Sequence, residues 1–314
     1  IKVVKGFLHE GDTITVNFGV TDGGSPGMRL ETFCEESFEF RTVVDPIATF
    51  NYQPLPEQPV IKIVPGKPSH YVAVVPTLRR VNEDFALKLK GEDKWGNPSD
   101  QCDVTYRLNS NVPVNNLPET VTFTPGEFAV EVPGLSVGQA GDVEIELLDD
   151  AGQVVTRANP LRIVEQTDLI PFWADLHGQS EESIGTGSAD EYFAFARDRA
   201  FVDATGHQAN DFQVTNGFWS DLDRLAVKFE EADKFVVLPG YEWSGNTGMG
   251  GDRNVYYATE DRQIRRSSHA LIEDKSDLDT DCNTAAELFE ALADNKEWDV
   301  VCFAHCGGRY ADVK

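Results

Sequence analysis

The chain is poor in basic residues, in sulfur and in long apolar runs. Lysine and arginine total 27 against 53 aspartates and glutamates, a net charge of -26. So negative a balance disfavours nucleic-acid phosphates and anionic lipid, and neither is an expected partner. Five cysteines in 314 residues are too few for a disulfide framework. No stretch approaches about 18 apolar residues, so no transmembrane segment is expected. An initiator methionine is also missing. Ile1 opens the sequence with no charged start, apolar core and cleavage site behind it. Processing, or excision from a longer gene product, is therefore expected. Signal removal is one cause, which makes an exported or periplasmic location the expectation over a cytoplasmic one.

Length sets the next bound, because 314 residues is about twice an ordinary domain of roughly 100–150 residues. Residues 1–167 read as strands and turns. Ile14–Phe18, Phe38–Val43, Tyr71–Val75 and Asp142–Leu147 are rich in β-branched or aromatic residues, and several alternate with period two. Gly23-Gly24, Pro65-Gly66, Gly96-Asn97-Pro98, Pro125-Gly126 and Pro133-Gly134 punctuate them. The expected fold here is an immunoglobulin-like β-sandwich, or two small sandwiches meeting near 109–113.

From residue 168 the pattern changes to short apolar strands alternating with capped helices. Ser188 with Glu191, and Thr284 with Glu287, have capping-box spacing. Apolar stripes follow at Phe193, Ala196 and Ala200, at Leu222, Leu225 and Phe229 from near Ser220, and at Leu288 and Leu292. Strands are expected over 170–174, 201–204, 235–238, 254–257 and 300–304. This is the pattern of β/α units around parallel strands, and polar groups after several strands favour a barrel mouth over an open sheet. Only about five units precede the end of the chain. The barrel is thus expected to be incomplete at its C-terminus, its remainder missing from this chain or carried by a separate fragment.

The chemistry-bearing residues stand at those strand ends. Only six histidines occur, and His177, His207 and His305 all follow apolar strands, as does Glu242. Imidazole and carboxylate from separate rigid strands suit a divalent transition-metal site, Zn or Mn first and Fe next. Gln179 is a further candidate ligand and Asp211 an additional one if its loop turns back. Asp175, two residues before His177, would orient a ligand ring. Arg253 is the best basic candidate for gripping an anionic group, and Asn254 either orients an oxygen or holds its loop. Cys302 and Cys306 lack the second spaced pair of a zinc ribbon. Gly248–Gly251 lacks a phosphate-loop pattern, and Phe218, Trp219 and Trp243 line a pocket or fill a core.

Trp173-Ala174-Asp175-Leu176-His177-Gly178-Gln179-Ser180 resembles the first motif of the polymerase and histidinol phosphatase superfamily of metal-dependent phosphoesterases. The similarity is closest to the branch known as domain of unknown function 3604. Ala204-Thr205-Gly206-His207, Pro239-Gly240-Tyr241-Glu242-Trp243 and Phe303-Ala304-His305 resemble later motifs in order, over about residues 168–314. Asp93-Lys94-Trp95-Gly96-Asn97-Pro98 is the recognisable piece of the N-terminal half. The resemblance implies a distorted β/α barrel, typically of seven strands, with up to three metals at its mouth. It further implies an aspartate and a histidine ligand beyond this chain. Two positions depart from it, since Gln179 stands where a histidine is usual and Gly206 where an aspartate is usual. One metal subsite is therefore expected to be weakened or absent, leaving one or two divalent transition metals rather than three.

The expected activity is metal-dependent hydrolysis, a phosphoesterase acting through activated water on a small anionic ester. Sulfate-ester or carboxyl-ester hydrolysis on the same frame is the alternative. A different class is a glycan- or protein-binding module with a degenerate barrel. Composition carries no statement of oligomeric state.

Overall fold

The computed structural model describes residues 3–245, 250–294 and 299–305. Cys306, residues 248–249 of the glycine segment and the C-terminal residues 307–314 lie outside them. The architecture is mixed α/β with several separate sheets and two apolar cores.

Residues before about 60 form only short antiparallel pairs, Glu35–Glu39 with Val60–Ile63 and Val43–Val44 with Gln53–Pro54. The strand expected at Ile14–Phe18 does not form. Ile14, Val16 and Phe18 are about half exposed at 52%, 51% and 56%, so the alternation has no facing layer to bury against.

The first core lies between three sheets. Phe85–Glu92 sits between His70–Val74 and Val130–Leu135, both antiparallel to it. Val104–Ser110 sits between Thr120–Phe123 and Ile145–Leu148, and the latter also pairs with Val154–Arg157. Leu161–Val164 joins Gly141–Val143 antiparallel and Leu78–Arg80 parallel. Leu87, Leu89, Leu135, Ile145, Leu147 and Leu161 are buried together here. The region around 109–113 therefore lies within one core rather than between two small sandwiches.

The second core carries the site. Its strands are β1 (Ala174–Gly178), β2 (Ala204–His207), β3 (Val236–Val237), β4 (Gly240–Trp243), β5 (Arg253–Tyr257) and β6 (Val300–Ala304). Helices α1 (Ala189–Phe195), α2 (Asn216–Phe229) and α3 (Ala285–Asp294) intervene. Both capping boxes form. Ser188 Oγ accepts from the Glu191 amide while Glu191 Oε2 accepts from that of Ser188, and Thr284 and Glu287 repeat the exchange. α2 starts one turn earlier than its apolar stripe suggests, because Thr215 Oγ1 accepts from the Phe218 amide and caps it there. The β2 strand also begins later than expected. Phe201 takes a left-handed φ of 63° and closes the preceding helical turn.

β1, β2 and β3 run parallel. β3 and β4 are two halves of one line beside β2, joined through Leu238 N–H to Thr205 O and Glu242 N–H to Ala209 O. Next comes the main departure from β/α alternation. β5 is antiparallel to β4, and β6 antiparallel to β5, with no helix between β4 and β5 among the described residues. Two reversals return β6 to the direction of β1, so the C-terminal ends of β1, β2, β4 and β6 share one edge with the start of β5. Among the described residues no hydrogen-bonded pairing joins β6 to β1, and the curled sheet is not a closed barrel.

Alternation along these strands separates core from site. Tyr241, Trp243, Val255 and Tyr257 face α2 and α3 and are buried with Leu222, Leu225 and Leu288. Cys302 packs against that cluster, and Trp219 and Trp243 fill it rather than lining a pocket. Their neighbours in sequence, Glu242, Asn254, Tyr256 and Phe303, take the other face.

Candidate metal centre

Glu242 and Asn254 are direct partners in the antiparallel ladder of β4 and β5, and Asn254 is in turn opposite Phe303. Such partners project to the same face about 4.5–5.5 Å apart at Cβ. Two residues beyond Phe303, His305 joins that face, its amide held by Asp252 O at 3.0 Å.

His177 reaches the same place by a local irregularity. Asp175 pairs with Thr205 and Gly178 with His207, leaving Leu176 and His177 opposite Gly206 alone. Two residues against one is a β-bulge, and it turns the His177 ring toward the site. The His177 and His305 rings then stack with centroids 4.5 Å apart and 22° between planes. Single donor atoms of His177, Glu242 and His305 lie within 4.8 Å of one another. His177 Nε2 is 3.4 Å from Glu242 Oε2, and its Nδ1 is 3.1 Å from Asn254 Oδ1. Glu242 and Asn254 are buried, while His177 and His305 are partly open. The hydrogen bond to Glu242 raises the His177 pKa above the ordinary imidazole value, against desolvation, which lowers it.

This set fits a divalent transition metal. Two imidazoles and a carboxylate are the donors of single-metal hydrolytic sites that keep a fourth position open. Tetrahedral ligands at about 2.1 Å stand about 3.4 Å apart, which is the separation of His177 Nε2 from Glu242 Oε2.

The other sequence candidates stand elsewhere. His207 faces α1, because β2 alternation gives the site face to Gly206. Its Nε2 meets Ser180 Oγ at 2.8 Å, its ring lies edge-on to Tyr192 and Phe218, and its buried Nδ1 has no hydrogen-bond partner. Burial, and secondarily the charge of His177, press its pKa down to about 4. Gln179 is committed to backbone and loop. It donates from Nε2 to Gln208 O at 2.7 Å and accepts from Ser183. Asp211 is fully buried and accepts from the Ser244 amide at 3.0 Å and from Ser267 through both amide and hydroxyl. Burial raises its pKa to about 6 despite those bonds. It ties two loops together and is not in the cluster.

Asp175 does not orient the His177 ring. Its Oδ1 accepts from the His177 amide at 3.1 Å, within the bulge, and Asn254 touches the ring instead. Arg253, one residue before Asn254, projects to the opposite face of β5. Its guanidinium donates to Asp252 O at 2.9 Å and Gly250 O at 2.5 Å and lies 5.8 Å from the Phe289 ring centre. It braces its own turn.

Tyr256 escaped sequence reasoning. Its hydroxyl donates to Leu176 O across the site face, and its ring covers Gly206. The signal was there in part, as Asn254 and Tyr256 share a strand face by simple alternation.

Fold and site together define a mixed α/β multidomain protein with a partly buried His/His/Glu cluster able to coordinate a metal ion. No protein-family model matches the chain. An uncharacterised protein of Chlamydia pneumoniae is 22% identical over 264 residues, covering 81% of this chain. The chain spans 42% of that relative's length. The D0–D1 domain of intimin is similar at a TM-score of 0.25 and 15% identity, over 32% of this chain and 50% of that one. The D00–D0 domain of intimin gives 0.24 and 13%, over 34% and 56%. Among the described residues no helix is long and apolar enough to cross a membrane.

Proposed function

We propose that the chain forms part of a metal-dependent hydrolase in which His177, Glu242 and His305 hold one divalent transition metal, Zn or Mn first and Fe next. The observation that carries this reading is the convergence of those three donors from β1, β4 and the end of β6. A cation so held supplies Lewis acidity toward an ester oxygen and makes water acidic near neutral pH. Glu242 would offset one unit of its charge from a buried position, beside two partly exposed imidazoles. Asp175, exposed, holds the His177 amide within the bulge rather than the ring. The commitment of Gln179, His207 and Asp211 to other partners supports a single metal over two or three.

The substrate class we infer is a small anionic ester, a phosphate ester first, which rests on the resemblance of four motifs to the polymerase and histidinol phosphatase superfamily. Residues up to about 167 are then an accessory β region beside the hydrolase unit. Purified chain loaded with Zn or Mn should hydrolyse a phosphate monoester or diester, and Glu242→Gln should abolish it. Turnover of a sulfate or carboxyl ester alone would move the bond cleaved but keep the metal frame. Metal uptake by neither ion, with no turnover across the panel, would leave a binding module.

A further inference from the structure

Two hydrogen-bond acceptors flank one histidine ring. His177 Nδ1 stands 3.1 Å from Asn254 Oδ1, and Nε2 stands 3.4 Å from Glu242 Oε2. A neutral imidazole has one proton for its two nitrogens, and only the bare nitrogen can bind a cation. Left to Glu242 alone, the proton would settle on Nε2, between the ring and the carboxylate. Both donors would then be spent on each other. The Asn254 carboxamide oxygen competes for that proton from the far side. It is buried, 6% exposed, and fixed by the β4–β5–β6 ladder, so it holds its place without a cation.

We propose that Asn254 is the positioning residue that keeps the His177 proton on Nδ1 and thereby holds Nε2 open toward Glu242 and His305. The inference rests on the metal-binding reading above. It assigns Asn254 neither contact with substrate nor a ligand bond. Its action is to choose between two tautomers of the ring beside it, as partners of metal-bound histidines commonly do.

The test reads the tautomer directly. In metal-free, 15N-histidine-labelled chain at pH 8, with His177 assigned by its loss in His177→Gln, the ring should show Nδ1–H and bare Nε2. Asn254→Leu should move the proton to Nε2 and weaken Zn2+ binding, measured calorimetrically, by about 10–100-fold. Asn254→Asp, which keeps an acceptor, should restore both. Wild-type protein with the proton on Nε2 would overturn the proposal, and that reading does not depend on any Asn254 variant. So would Asn254→Leu protein retaining Nδ1–H and wild-type Zn2+ affinity. If wild-type chain takes up no Zn2+, the metal-binding reading fails, while the ring shifts of the metal-free protein still decide the role of Asn254.

Discussion

The ring of Tyr256 lies over Gly206, so close that a Cβ at 206 would stand 2.9 Å from Tyr256 Cε1. Glycine is required there by contact with a side chain from β5 rather than by an unusual backbone. Gly206→Ala should therefore destabilise by about 1–3 kcal/mol in urea denaturation, the range for overpacking. Adding Tyr256→Ala should recover part of that loss, since the obstructing ring is gone. Simple additivity of the two costs would mean that the rings and strands relax without coupling.

His207 supplies a pH dependence with a defined sign. Its folded pKa, about 4, lies below the ordinary value near 6.5. The folded state thus holds neutral His207, and between those values the unfolded chain binds the extra proton. The stability difference between wild type and His207→Gln, measured without metal, should be steady above about pH 7. It should shift against wild type by about 3 kcal/mol by pH 4. Asp211, raised to about 6, works in the opposite direction, gaining stability as pH falls through 6. It cancels in the comparison because both proteins contain it. Parallel pH profiles would show that the imidazole is not held neutral.

Arg253 gives a test by lack of effect. Its guanidinium bonds are to the Gly250 and Asp252 carbonyls, the latter also the acceptor of the His305 amide, and not to the side chains of the cluster. Arg253→Ala should lower stability by about 1–2 kcal/mol, while leaving Zn2+ affinity within about twofold. A tenfold loss of affinity with an intact fold would return Arg253 to the site.

The α1 cap offers a control away from the metal. Ser188→Ala removes the acceptor for the Glu191 amide and should cost about 1 kcal/mol, measured as a change in denaturation midpoint with unchanged slope. No change would mean that α1 is held by its buried Phe193 face alone.

Much of this architecture is legible in the sequence. The strand end at His305 follows from an apolar run stopped by a polar group, and both capping boxes follow from residue type and spacing, whereas His177 and Glu242 lie inside β1 and β4, which form beyond the apolar runs expected at 170–174 and 235–238. Strand direction was not legible, since Asn254-Val255-Tyr256-Tyr257 reads the same whether it runs with β4 or against it. The site survives the misreading because two reversals bring β6 back into line, so His305 still emerges on the shared edge. Side-chain face was hidden for a different reason. The bulge opposite Gly206 turns His177 inward while His207, at the end of a regular strand, turns toward α1. A one-residue offset between neighbouring strands leaves no mark on composition or periodicity. The N-terminal pattern failed in the other direction, since Ile14, Val16 and Phe18 alternate without a partner strand among the described residues, and only Phe18 finds a ring to stack on, that of Phe40.

The central claim is that His177, Glu242 and His305 share one cation, and metal stoichiometry after Zn2+ loading and removal of excess tests it most directly. Wild-type chain should retain about one Zn2+ per molecule, and His177→Ala, Glu242→Ala and His305→Ala should each retain almost none. His207→Gln should keep the wild-type ratio. A wild-type chain that holds no zinc, or one whose zinc survives all three alanine substitutions, would contradict the account.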